Sequence, residues 1–420
     1  MSAILVLLGL LSVATLASRR GYAAFVAHIV TTPILLAVGV AISPRALGLF
    51  TEATSEALLP AMRVGAAWLA LLVGLRTSRP RMDRQWGKMM AATVSTNVLT
   101  WGVIAAAAFG VIVISPEYKF DLNAVEDSRR LTAIGAALLV GGLVAGTGLS
   151  FTREALYERK SEPATRLLLF VSRHDDIIAA IAVLAAIWLW PLNTEVAPIY
   201  EIPGVSVGVI VGLGATLAIA QLLTGDKTGG SQQSLIGVLG LLVFASGLST
   251  TAVLPGAAIA FFFGSFLAFT GRGAQLLKAL HKTERPVRLV VIILAGAHLG
   301  FAVWAIAVGV ATAVARFIAK WAFALVAERK ASSPIPMACV LGSSGLTIPF
   351  ALSFALSRTE PLSSSHVLTA VCACVTVSDL ATLILWRRKS RDEDSGRPEG
   401  EPVASGAKAA VESLKAEAAI

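Results

Sequence analysis

Residues 167–190 read LLLFVSRHDDIIAAIAVLAAIWLW, an apolar run interrupted by Arg173, His174, Asp175 and Asp176. About 20 mostly apolar residues are enough for a helix to cross a bilayer. The run therefore predicts a membrane-spanning helix with charge inside it. Asp175 is eight residues in from one end, roughly 12 Å at 1.5 Å per residue. Charge at that depth is costly and marks a functional site by default. Two adjacent carboxylates in a low-dielectric site cannot both ionise cheaply, so one of them exchanges a proton or binds a cation. A second reading starts the span nearer Asp176 and makes SRHDD a charged helix N-terminus, where the dipole favours acids. That reading leaves LLLFV in water or headgroups.

The rest of the chain fits a membrane setting. Of 420 residues, 56% are hydrophobic and 15% charged, with a mean hydropathy of +0.76, against nearly half and a quarter in soluble domains. A soluble protein is excluded. Thirteen apolar stretches have roughly crossing length: 3–17, 22–42, 58–75, 91–114, 132–149, 167–190, 205–223, 235–254, 256–270, 289–301, 304–327, 335–356 and 366–386. The expected fold is all-α and polytopic, with a transporter region over 1–386. Residues 387–420, rich in charge, Gly, Pro and Ser, are expected to form a disordered tail. With alternating loops, one side carries nineteen Lys and Arg and the other five, and the basic tail joins the richer side. Cytoplasmic loops carry the excess, so the C-terminus is expected inside and the N-terminus outside.

The net charge of +9 thus reads as membrane sidedness, and no nucleic-acid partner is expected. Cys339, Cys372 and Cys374 lie in apolar segments without a pairing or zinc pattern. No basic region precedes the first apolar run, which is read as a span and not as a cleaved leader. The GLGA at Gly212 lies inside a span, so no nucleotide cofactor is expected.

Few charges fall inside spans: Arg63, Arg173, Arg316, Lys320, Asp175, Asp176 and Asp379. Arg316 and Lys320 are four apart and share a helix face. Lys320 lies at nearly the depth of Asp175, close enough to pair, although a lysine there can also snorkel to the headgroups. Asp379 stands alone in SDLATL, which suits a helix–helix hydrogen bond. Two spans are weakened by small residues: the fifth at AGTGLSFT and the twelfth at LGSSGLTIPF, with Pro349. Broken helices persist at membrane depth only around a cavity, and a matching pair in two halves points to a binding site. Spans four to six and eleven to thirteen each run intact, interrupted, then Asp-bearing. The odd offset of seven spans makes the repeats inverted. Gly-rich segments can also serve as close packing surfaces.

These residues resemble the bacterial sodium/proton antiporters of the monovalent cation:proton antiporter superfamily, from about Leu58 to Trp386. HDDIIAAIAVLA is similar to the family's Asp-Asp helix, and AGTGLSFTREAL to its threonine-rich unwound helix, with Thr147 and Thr152 on the matching positions. VARFIAKWAFALV resembles its Arg/Lys-bearing helix and GSSGLTIPFALS its second crossing helix. The resemblance implies that Asp176 carries cation and proton, and that Asp175 pairs with a lysine, for which Lys320 is the candidate. Arg316 and Arg173 are alternative counter-charges. Thr147, Ser150, Thr152, Ser344 and Thr347 would line the site at the broken helices. The implied architecture is a core of helices at 91–190 and 304–386 beside a dimerisation panel, in a homodimer that moves by alternating access. An Asp-Asp pair is associated in the family with electrogenic exchange. The chain departs from the pattern at Gly342, Ser343, Ser344 and Gly345, where the family carries charged residues.

The resulting expectation is a transporter in a bacterial inner membrane, exchanging protons for Na⁺ or Li⁺, with no bound cofactor and no enzymatic activity. His174, which changes charge near neutrality, either tunes its pH response or faces the cytoplasmic vestibule. A sodium-coupled symporter of an organic anion is the alternative on a similar fold, and a non-transporting sensor or scaffold is another. The second acid, Asp175, argues against anion binding. An intramembrane enzyme lacks a His/Glu metal motif, a Ser–His pair and a P-loop.

Overall fold

The computed structural model describes residues 24–48, 50–76, 86–115, 127–146, 231–251, 255–268, 273–328, 342, 344–357 and 361–395, together with 167–183 except 169, 173, 178 and 182. The first expected span, the seventh, and the candidates Thr147, Ser150, Thr152 and Arg173 lie outside the described residues.

Everything regular among the described residues is helical. The helices are α1 (Ala24–Ile42), α2 (Glu52–Leu75), α3 (Trp86–Ile114), α4 (Asp127–Ala145), α5 (Ser231–Thr251), α6 (Gly256–Ala268), α7 (Gly273–Ala297), α8 (Val303–Glu328), α9 (Thr347–Ser357) and α10 (Pro361–Ser395). Between α4 and α5, 167–183 is helical where described. Four stretches among them are long and apolar enough to cross a membrane: Ala53–Leu75, Met89–Ile114, Val303–Leu325 and Ser364–Leu385. The chain is a multi-pass helical membrane protein.

Several ends have local causes. Thr51 caps α2: its side chain accepts from the Thr54 amide at 3.2 Å and satisfies a donor that the first turn leaves open. At the expected breaks, α4 stops at Ala145 and α9 starts at Thr347, after a non-helical turn at 344–346. Pro349 is not the breaker. It sits in the first turn of α9, where its missing N–H costs little. α7 begins well before the expected span at 289 and makes its charged approach, 273–288, part of one helix. α10 runs to Ser395 and takes in the first nine residues of the expected tail.

The helices pack in two groups. In one, α2 packs against α6 and α7, α1 against α7, and α5 against α6; in the other, α3 packs against α4 and α8, and α10 against α8 and α9. Glycine decides two crossings in the first group. A Cβ on Gly39 would strike the Ile293 carbonyl of α7, and one on Gly74 the Phe261 carbonyl of α6. Short α9 touches both groups. Phe350 stands edge-on to Phe261 at 6.1 Å, Ser353 Oγ accepts from the Ala257 amide at 3.1 Å, and Arg63 Nη2 donates to the Leu356 carbonyl at 2.8 Å. The residue that opens α9 is thereby held beside Asp176.

Candidate functional site

Asp175 and Asp176 are both buried, at 0% and 6% exposure, and they meet different partners. Lys320 Nζ of α8 donates to Asp175 Oδ2 at 3.3 Å, and Asn97 Nδ2 of α3 donates to Asp175 Oδ1. A second hydrogen bond, from Asn97 Nδ2 to the Thr93 carbonyl at 3.0 Å, orients that amide. Ammonium and amide NH₂ groups only donate, so each Asp175 oxygen faces a donor and neither Lys320 Nζ nor Asn97 Nδ2 can accept a proton from it. Asp176 faces a hydroxyl instead. Ser344 Oγ donates to Asp176 Oδ1 and accepts from the Leu346 amide at 3.1 Å. A hydroxyl can both donate and accept, so Asp176 has a partner in either protonation state. Sequence neighbours are thus separated chemically by what packs against them.

Arg316 is the other deeply buried cation. Its Nη2 donates to the carbonyls of Gly146 and Gly342, each at 2.9 Å. Gly146 follows the last residue of α4, where helix carbonyls lose their intrahelical partners and positive charge is favoured. One guanidinium therefore ties the end of α4 to the strand of chain that leads into α9. Among the counter-charge candidates, Lys320 stands at Asp175, Arg316 at backbone carbonyls, and Arg173 lies outside the described residues.

His174 is buried, stacks on Phe170 with ring centroids 4.2 Å apart, and places Nδ1 2.8 Å from the Phe170 carbonyl. Asp379 is buried on α10. Arg63 is half-buried and serves the end of α9, as described above.

Beside Asp176 is a cavity of about 10 Å³, roughly the space of one water molecule. Its polar lining comes from Asp176, Ser344 and Thr347, and its apolar walls include Leu143, Val183 and Phe350. Thr347 Oγ1 and Asn97 Oδ1 are buried without a hydrogen-bond partner among the described residues. Such orphans cost about 1–3 kcal/mol each. Among the described residues no cluster of three His, Cys, Asp or Glu side chains could hold a metal ion. The oxygen-only set at Asp176 suits a hard cation and not a soft transition metal.

A second charged cluster lies at the foot of α2 and α7. Glu284 accepts from Arg76, and from Arg288 at 2.6 Å; His281 Nδ1 lies 3.1 Å from its carboxylate. Burial alone would push the Glu284 carboxyl up. Arg288, His281 and Arg76 outweigh it and hold the carboxyl well below the usual carboxylate range. Arg288 also touches the broken segment, its Nη2 standing 3.0 Å from where a Cβ of Gly345 would sit.

Sequence reasoning missed Asn97 and Glu284. Asn97 was findable as the one amide in the apolar stretch 91–114, but a search limited to formal charges passes over it. Glu284 reads as a loop residue because five Lys and Arg crowd 272–288.

These features define a polytopic helical membrane protein with buried charge at two helix ends. No family model matches the sequence, and no curated protein matches it. Among solved structures, the chain is similar to the sodium proton antiporter MjNhaP1 from Methanocaldococcus jannaschii at pH 8, with a TM-score of 0.57. That match covers 92% of this chain and 98% of the other at 15% identity. At that identity the likeness is one of fold.

Proposed function

We infer that the chain is a secondary active transporter that exchanges protons for a monovalent cation, Na⁺ or Li⁺, by alternating access. The observation that carries this reading is the unequal carboxylate pair. Asp175 is bound by Lys320 and Asn97, while Asp176 meets, among the described residues, the Ser344 hydroxyl and a small, mostly apolar cavity to which Ser344 and Thr347 bring hydroxyls. In this reading, proton and cation compete for Asp176. A proton neutralises it, or a cation does, and the access change proceeds only with the site filled, because a bare buried charge is costly. Asp175 and Lys320 neutralise each other and keep the second acid out of the competition. Arg316 holds the two helix ends around the site.

The wider architecture belongs to the same proposal. It comprises thirteen spans in two inverted repeats, with core helices at 91–190 and 304–386, a dimerisation panel and a tail that follows α10. The protomer would sit as a homodimer in a bacterial inner membrane, N-terminus outside and C-terminus in the cytoplasm, with no resident cofactor. Thr147, Ser150 and Thr152 would complete the lining with Ser344 and Thr347. The fold likeness and the 19-to-5 charge asymmetry support this arrangement. An organic-anion symporter is the weaker reading, since both cations near the site are engaged, Lys320 by Asp175 and Arg316 by backbone carbonyls.

The test is cation-induced dissipation of a preset ΔpH in proteoliposomes with Na⁺, Li⁺ and K⁺, for the wild type and Asp176→Asn. A cation-dependent signal in the wild type and none in the mutant is expected. Silence with all three cations in folded wild-type protein would remove the antiporter reading and bring the anion symporter or a non-transport role forward.

A further inference from the structure

Thr347 opens α9, and its backbone is fully used there: its amide donates to the Ser344 carbonyl at 3.2 Å as the helix begins. Its side chain is not. The hydroxyl is buried, has no hydrogen-bond partner among the described residues, and borders the cavity that Asp176 and Ser344 also line. Buried polar atoms are nearly always paired, so an orphan calls for a ligand, a water or a functional reason. The other polar atoms of this cavity are oxygens too. Asp176 supplies a charged carboxylate and Ser344 a hydroxyl, the donor set preferred by hard cations. The dipole of the first turn of α9 works against a cation here. The full charge of Asp176 has to dominate it, and a neutral hydroxyl strengthens cation binding without adding a second charge that must be cancelled when the ion leaves. With room for about one water-sized occupant, the site requires the ion to shed its shell, and the number and spacing of oxygens then set which ion is favoured.

We propose that Thr347 is a direct ligand of the transported cation: its Oγ1, with Asp176 and Ser344, forms an oxygen cage that accepts Na⁺ or Li⁺ and disfavours K⁺. The proposal rests on the antiporter reading and adds a specificity-determining residue to it. Thr347→Val keeps the shape and removes the oxygen. Thr347→Ser keeps the oxygen.

The experiment measures ΔpH dissipation in proteoliposomes against Na⁺, Li⁺ and K⁺ concentration for the wild type, Thr347→Val, Thr347→Ser and Asp176→Asn. Thr347→Val is expected to raise half-saturation for Na⁺ and Li⁺ about tenfold, the scale of one hydrogen-bond-strength contact to a charge, with little change in maximal rate. Thr347→Ser is expected to stay within about twofold of the wild type, since the ligand atom is retained. A general packing defect would instead lower the maximal rate in both variants. If Thr347→Val does not fold, Thr347→Ala takes its place with the same expectation. Wild-type half-saturation in the oxygen-free variant would overturn the proposal, leaving the hydroxyl as partner to a buried water, while exchange lost in Asp176→Asn would keep the antiporter reading. No exchange in the wild type would remove both.

Discussion

Glu284 and Asp176 are both buried carboxylates in a positively charged protein, yet their surroundings fit them for opposite tasks. Glu284 is saturated: Arg76, Arg288 and His281 surround its oxygens. Among the described residues Asp176 has the Ser344 hydroxyl as its partner and open volume next to it. A carboxylate gripped by cations keeps its charge and holds helices together, as Glu284 does between α2 and α7. One with a neutral partner and a cavity is free to exchange what neutralises it. Arg288 of the Glu284 cluster also stands beside Gly345, in the turn that leads into α9. Asp175 belongs with Glu284 in this contrast, although it is the sequence neighbour of Asp176.

That comparison breaks at its weakest point if Asp175 does not depend on its cation. Lys320→Ala takes the ammonium away from a buried carboxylate, and removing one partner of a buried pair costs about 3–5 kcal/mol. Thermal unfolding in detergent should show a large fall in midpoint, and an unchanged midpoint would dissolve the distinction between Asp175 and Asp176. The Glu284 cluster comes next. Glu284→Gln should cost roughly 2 kcal/mol through loss of charge-assisted hydrogen bonds. Because the folded carboxyl lies below its ordinary value of 4.5, its stabilisation is fully present above about pH 4.5 and is lost as pH falls toward the folded value. Wild-type stability should therefore decline below that pH, and the decline should be shallower in Glu284→Gln. Asn97→Leu has the smallest effect, about 1–2 kcal/mol for one donor to a carboxylate whose other oxygen still meets Lys320. Exchange should persist at reduced rate, with loss of activity as complete as in Asp176→Asn showing that Asn97 does more than hold Asp175.

Much of this was legible beforehand, and the exceptions follow a rule. The apolar stretches marked the long helices α2, α3, α8 and α10, because hydropathy is a local sum and a bilayer acts on it directly. The small-residue runs marked where α4 ends and α9 begins, although Pro349 proved to be an early helix residue. The burial of His174 was not legible, since it depends on which way one helix face turns. Asn97 and Glu284 escaped for a related reason: an amide or a loop acid gains meaning from its partner, and the partners lie far off in sequence.

The sequence by itself determined that the chain enters a membrane as helices and that a pair of acids goes in with them, because the cost of water-exposed apolar surface and of buried charge is set residue by residue. Only the tertiary structure decided what each acid meets. Asn97 reaches Asp175 across 78 positions, Lys320 across 145, and Ser344 reaches Asp176 across 168. A carboxylate's chemistry is set within a few ångströms by short-range donors, and at these separations packing alone chooses them.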